Sequence, residues 1–297
     1  MDRAYTYLEL HLNRQNSHFI IIFYHFSTLI VGLGAISLKA RFVMPICAIK
    51  ARTIKIIVAL LIVAVLLIVP IEGSASAQVW FGKTGRLVPV YNVDTPEKQV
   101  AISFDAAWGA DKTEGILQVL AEYNATATFF LVGFWVDKYP DMVKKIDEAG
   151  MEIGTHSNTH PDMAKLDEES VKKELTLSMQ KITDLINKDI KVFRPPFGSY
   201  NNTLLNTCTQ LGLTAIQWDV DSLDWKGLSA GEVTNRVMKK AKNGSIILMH
   251  NNADHVIDST RLTLDWLTKS GYKVTSVGEL IYQSDYYIDA NGTQHKN

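Results

Sequence analysis

From Val100 onward, short apolar runs alternate with longer amphipathic ones, the pattern of a parallel sheet covered by helices. Strands are expected at residues 100–104, 126–131, 152–155, 191–194, 214–218, 245–249 and 273–276. Helices are expected at 113–123, 140–149, 168–187, 203–211, 230–241 and 260–270, each with apolar residues three and four apart. Gly150, Gly212 and Gly271 stand where helix C-caps fall. Seven such strands over about 180 residues give either a (β/α) barrel or an open doubly wound sheet. No internal repeat, low-complexity tract or Pro-rich linker divides this region.

The unusual polar residues fall at strand ends. Asp105 follows the first expected strand, His156 the third, Asp219 and Asp221 the fifth and His250 the sixth, while Arg194 ends the fourth. All of these are carboxyl ends, which converge on one face in parallel α/β folds and carry the chemistry there. Unrelated titratable residues would scatter over both ends, so the clustering points to a single site.

Ahead of this region the chain has a different character. Residues 56–69, IIVALLIVAVLLIV, form an uninterrupted apolar run preceded by Lys50, Arg52 and Lys55 and followed by Ala75-Ser76-Ala77. That is the layout of a secretory signal peptide with its cleavage site, which would leave a mature chain starting at Gln78. An uncleaved membrane anchor is the other reading, because the run from Ile56 to Ile71, a little short for a bilayer that takes about 20 helical residues, could span a thin one. A second apolar stretch at 19–38, interrupted by His25, Ser27, Gly32 and Gly34, is either a transmembrane helix or an artefact of a start that truly lies at Met44. In both cases the export segment places the main body outside the cytoplasmic membrane. Residues 1–77 hold seven basic and three acidic residues, leaving a mildly acidic body near −5 in a chain of net charge −1. Such a balance excludes a strongly basic nucleic-acid-binding surface. With only Cys47 and Cys208, no disulfide framework organises the fold, and Cys208 reads as a buried apolar residue.

His156-Ser157-Asn158-Thr159-His160 is a His-x3-His pair whose spacing would set both imidazoles on one side of a helical turn, suited to a divalent metal such as zinc. The spacing alone is a weak signal, and its position after a strand end strengthens it. Joined in order with Ser103-Phe104-Asp105, Arg194-Pro195-Pro196-Phe197-Gly198, Asp221-Ser222-Leu223-Asp224-Trp225 and Leu248-Met249-His250, it gives the chain five motifs that together resemble the polysaccharide deacetylases, carbohydrate esterase family 4 with its NodB homology domain. The resemblance covers about residues 98–282. It implies an α/β fold, a distorted (β/α) barrel of about seven parallel strands, flanked by a lead-in at 78–97 and a polar tail at 283–297. The stretch from Phe104 to Gly109 is most similar to the sporulation-associated branch, which implies a cell-wall glycan substrate at the wall or forming spore.

What the resemblance implies agrees with the needs of amide hydrolysis: an activated water, a polarised carbonyl and a proton for the leaving amine. Asp105 matches the general base and His250 the general acid, with Asp224 the carboxylate that raises the imidazole pKa. Arg194 matches the residue that orients the base by charge-assisted hydrogen bonds. His156 and His160 match the metal ligands, and Phe197, Trp225 and Leu248 the substrate groove. Phe197 replaces the usual Tyr, which matters little if its backbone N–H makes the oxyanion contact. One departure is sharper. Relatives place a second Asp, a metal ligand, where this chain has Ala106. Asp105 or Asp111 then supplies the third ligand, water fills the gap, or activity is lost.

Overall fold

The computed structural model describes residues 85–297. The apolar stretches at 19–38 and 56–69, the cleavage site and Cys47 lie outside these residues. Among the described residues no helix is long and apolar enough to cross a membrane.

The elements follow in the order β1 (Asn92–Val93), β2 (Gln99–Ala106), α1 (Thr113–Glu122), β3 (Thr128–Leu131), α2 (Gly133–Lys138), α3 (Pro140–Glu148) and β4 (Glu152–Thr155). Next come α4 (Glu168–Ile186), β5 (Val192–Phe193), α5 (Asn202–Gln210), β6 (Thr214–Ala215), β7 (Val220–Asp221) and α6 (Ala230–Lys240). The chain ends with β8 (Ile246–His250), α7 (Val256–Lys269), β9 (Lys273–Thr275), α8 (Val277–Leu280), β10 (Tyr286–Ile288) and β11 (Thr293–Lys296). Local chemistry sets several boundaries. Pro140 starts α3, where its missing N–H costs nothing. Asp167 and Asn201 accept the first free backbone N–H groups of α4 and α5. Ser229 and Glu232 close a reciprocal capping box on α6.

The sheet is parallel and curls into a partial barrel in the order β6-β5-β4-β3-β2-β8-β7, with β9 paired to the start of β2. The expected distorted barrel is therefore present, with eight strands rather than seven. The difference comes from residues 214–218, expected as one strand. The chain leaves the β6 edge after Ala215, crosses the open side of the barrel and joins the opposite edge as β7. Val90 bridges to Ile216 and accepts the Gln217 N–H at 2.7 Å, so the lead-in chain helps close that gap.

Alternation along β2 divides its side chains. Val100, Ile102, Phe104 and Ala106 join the large core beneath the helices, whereas Ala101 joins the smaller core inside the curl with Phe130, Val192 and Ile216. Ser103 and Asp105 share the inner side by the same period, Ser103 donating to the Ile247 carbonyl at 2.8 Å. A second sheet, β1-β11-β10, pairs the lead-in with the tail. Cys208 is buried, and burial pushes its thiol up to about 12, so it stays a protonated apolar group.

Candidate active site

Asp105 and His250 are register partners on adjacent parallel strands, so they point to the same side at the carboxyl ends of β2 and β8. His156 follows β4 and Arg194 follows β5 on the same rim. Together with Ala107, Trp108, His160, Phe197, Trp218, Asp221, Trp225, Leu248 and Asn252, three of these four line a cleft of about 460 Å³; Arg194 lies fully buried beneath it.

The Arg194 guanidinium donates through Nη1 to Asp105 Oδ1 at 2.8 Å and through Nη2 to the Gln217 carbonyl at 3.0 Å. It also stacks on the Phe130 ring at 4.2 Å. Burial works to raise the Asp105 pKa, but the charge of Arg194, aided by His156, His250 and the Arg194 hydrogen bond, outweighs it and holds the carboxyl below its ordinary value. Asp105 is thus a carboxylate with Oδ1 tied to Arg194 and Oδ2 facing His156 Nε2 at 3.5 Å.

His156 Nδ1 lies 2.7 Å from the Arg194 carbonyl, which fixes the tautomer with its proton on Nδ1 and a lone pair on Nε2. Burial lowers the His156 pKa to about 4, only partly offset by Asp105, and lowers that of His160 in the same way. Both imidazoles are therefore neutral at neutral pH. The turn that joins them is not the helical one expected from spacing. Ser157 and His160 have φ of 70° and 59°, and the His160 N–H donates to Ser157 Oγ at 2.9 Å. The rings still meet edge to face, with centroids 4.9 Å apart.

On the adjacent strand end, Asp224 holds His250 twice, accepting its backbone N–H at 2.7 Å and facing Nδ1 at 2.8 Å. Burial alone would lower the His250 pKa, but the Asp224 hydrogen bond and the charges of Asp105 and Asp224 prevail and raise it. His250 Nε2 is then the group that can carry a proton into the cleft. Phe197 sits at φ 59° and is 71% exposed, Trp225 is 58% exposed, and Leu248 is a buried strand residue that reaches the cleft.

Other candidates take different places. Asp219 is not at the cleft rim; it binds Ser245 Oγ and the Ile246 N–H, both at 2.9 Å, at the amino end of β8, because β7 begins only at Val220. Asp221 does reach the cleft. Asp111 is exposed on the loop after β2, close to Gly109, and does not line the cleft. Ala106 is fully buried in the helix-side core. Trp108 and Asn252 reach the cleft without having been singled out from the sequence; a Trp three residues beyond the strand-end Asp105 was the available signal.

The polysaccharide deacetylases that the sequence resembles generally depend on a divalent metal. The residues present here do not make a complete protein site for one. His156 and His160 offer two neutral imidazoles, but Ala106, the position where the resemblance implies a ligating carboxylate, carries only a methyl and is buried in the helix-side core. Among the described residues no group of three or more His, Cys, Asp or Glu side chains is arranged to hold a metal ion.

The polysaccharide deacetylase family model matches residues 92–216. The chain is 32% identical over 196 residues to a peptidoglycan-N-acetylglucosamine deacetylase of Bacillus cereus, covering 64% of this chain and 92% of that protein. It is 33% identical over 193 residues to the uncharacterized protein YlxY of Bacillus subtilis, covering 65% of this chain and 60% of that one. It is 34% identical over 183 residues to the peptidoglycan-N-acetylglucosamine deacetylase PgdA of Listeria monocytogenes, covering 62% of this chain and 39% of that one. Among solved structures, it resembles a CE4 family pseudoenzyme from Bacillus anthracis at TM-score 0.64 and 30% identity, covering 70% and 73% of the two chains. A mutant of that pseudoenzyme with restored enzymatic activity matches at TM-score 0.63 and 33% identity, covering 65% and 70%. The chain belongs to the polysaccharide deacetylase family, and it spans only 60% and 39% of the length of the YlxY and PgdA relatives.

Proposed function

We propose that the protein is an N-deacetylase of cell-wall amino sugars, exported by its N-terminal apolar segment and acting at the wall or the forming spore. The observation that carries this reading is the pairing, side by side at one cleft, of an ionised Asp105, held by Arg194, and a proton-bearing His250, held by Asp224. Asp105 Oδ2 takes a proton from a water that attacks the acetyl carbonyl carbon. As the carbon–nitrogen bond breaks, His250 Nε2 gives its proton to the departing amine, and acetate leaves. Positioned acid and base groups of this kind each contribute about 10²- to 10⁴-fold. Phe197, Trp225 and Leu248 hold the acetyl group and sugar ring.

A second reading rests on Ala106 and on the likeness to a pseudoenzyme: a silent domain that keeps the glycan groove and has lost turnover. Acetate release from purified peptidoglycan, measured with and without added zinc, separates them. Release supports the deacetylase; glycan binding without release under either condition supports the silent domain. The same assay with chitin oligomers and acetylated xylan sorts the substrate.

A further inference from the structure

The inward face of α4 is apolar at Val171, Leu175 and Ile182, but Glu174 and Ser178, four residues apart, fall on the same face. A polar group turned toward a core is costly unless it is bonded, and both of these are. Ser178 Oγ lies 2.6 Å from Thr155 Oγ1 at the end of β4. The Glu174 carboxylate reaches the turn between His156 and His160. Its Oε2 accepts the N–H groups of Asn158 and Thr159 at 2.9 and 2.8 Å, and its Oε1 accepts the Thr159 hydroxyl at 2.7 Å. Two successive backbone N–H groups that converge on one point form a concavity for an anion, and here α4 supplies that anion.

The turn needs such a partner. Ser157 and His160 hold left-handed backbone, which side chains of their kind disfavour and which persists only where the surroundings fix it. From one side α2 fixes the carbonyls: the Gly133 N–H donates to Ser157 at 3.0 Å and the Phe134 N–H to Asn158 at 3.2 Å. From the other side Glu174 fixes the N–H groups of Asn158 and Thr159, while the His160 N–H is bonded within the turn to Ser157 Oγ. The turn is therefore clamped through its acceptors by one helix and through its donors by another. What the clamp delivers is the ring pair, with His156 Nε2 beside Asp105 and His160 at the cleft wall. Glu174 itself does not line the cleft, so any influence it has on the site passes through this turn.

We propose that Glu174 is the positioning residue of the histidine turn, holding His156 against Asp105 and His160 at the cleft from outside it. This goes beyond the deacetylase reading and holds whether or not the chain turns over substrate. The test is modification of the full chain by diethyl pyrocarbonate, which acylates neutral imidazole, with the rate at each histidine read by mass spectrometry. In the wild type His156 should react slowly, because it is 3% exposed and its Nδ1 is engaged by the Arg194 carbonyl. Glu174→Ala removes three bonds to a charged group and should speed the reaction of His156 by about 10-fold or more, leaving the rate at His250 unchanged. Glu174→Gln should restore the slow rate, because its amide oxygen can accept both N–H groups while its NH₂ donates to Thr159 Oγ1. Thr159→Val, which removes one of the three bonds, should give a smaller rise and stands in should Glu174→Ala fail to fold. Unchanged His156 rates in the Ala and Val variants would overturn the assignment. So would a rise shared equally by His250, which marks general loosening of the fold, or a Gln variant that reacts as fast as the Ala variant.

Discussion

Replacing Arg194 by Met tests the electrostatic core of the site through stability alone. Arg194 is fully buried, and its guanidinium is the closest cation to a nearly buried Asp105, with a 2.8 Å charge-assisted hydrogen bond. Methionine preserves much of the side-chain volume over Phe130 but leaves the carboxylate without its partner and the Gln217 carbonyl without its donor. Breaking a buried ion pair from one side costs about 3–5 kcal/mol, so urea unfolding near neutral pH should show a loss of this order. The loss should depend on pH. In the wild type the folded Asp105 pKa lies below the unfolded value, so its contribution is present above about pH 4 and fades as pH falls through the lower folded value. In the variant, burial acts with less opposition and raises the folded pKa, so the carboxyl protonates early and sheds much of its penalty. The deficit of Arg194→Met relative to wild type should therefore be largest near neutral pH and shrink toward about pH 3. Adding Asp105→Asn to the variant should recover part of the loss. A deficit under about 1 kcal/mol, or one that does not change with pH, would refute the paired, ionised Asp105 on which the chemistry depends.

Asp224→Asn should lower the His250 pKa toward or below its ordinary value, so the alkaline limb of the deacetylation pH profile moves to lower pH; an unmoved limb would remove Asp224 from this role. Ala106→Asp should strengthen zinc binding in a calorimetric titration and lower stability without metal, because Ala106 sits in the helix-side core; equal zinc affinities would mean that another residue already completes the site. Gly133→Ala should destabilise the protein by about 1–3 kcal/mol in urea unfolding, because the added methyl meets Asn158; a neutral effect would show that the histidine loop can yield.

Much of the site was legible because parallel strands deliver their carboxyl ends to one rim, so Asp105, His156, Arg194 and His250 could be grouped by position before any geometry was known. The means by which the His156–His160 turn brings its rings together was not legible. Spacing suggested a helix, while the chain uses two left-handed residues that no periodicity encodes. The place of Asp219 was misread because a continuous strand over 214–218 conceals a crossing from one sheet edge to the other. The pairing of β1 with β11 joins segments nearly the whole described chain apart, a long-range contact that local pattern cannot supply. Trp108 carries no signal in the periodic sequence pattern, because a lone Trp has no period; only the folded chain brings it to the cleft.

The most direct measurement is acetate release from purified peptidoglycan by the wild type and by Asp105→Asn under identical conditions, with folding of both checked by circular dichroism. The account predicts measurable release by the wild type and a fall of about 10²-fold or more in a folded variant. Release by the variant at more than about a tenth of the wild-type rate, or none from the wild type with or without zinc, would contradict it.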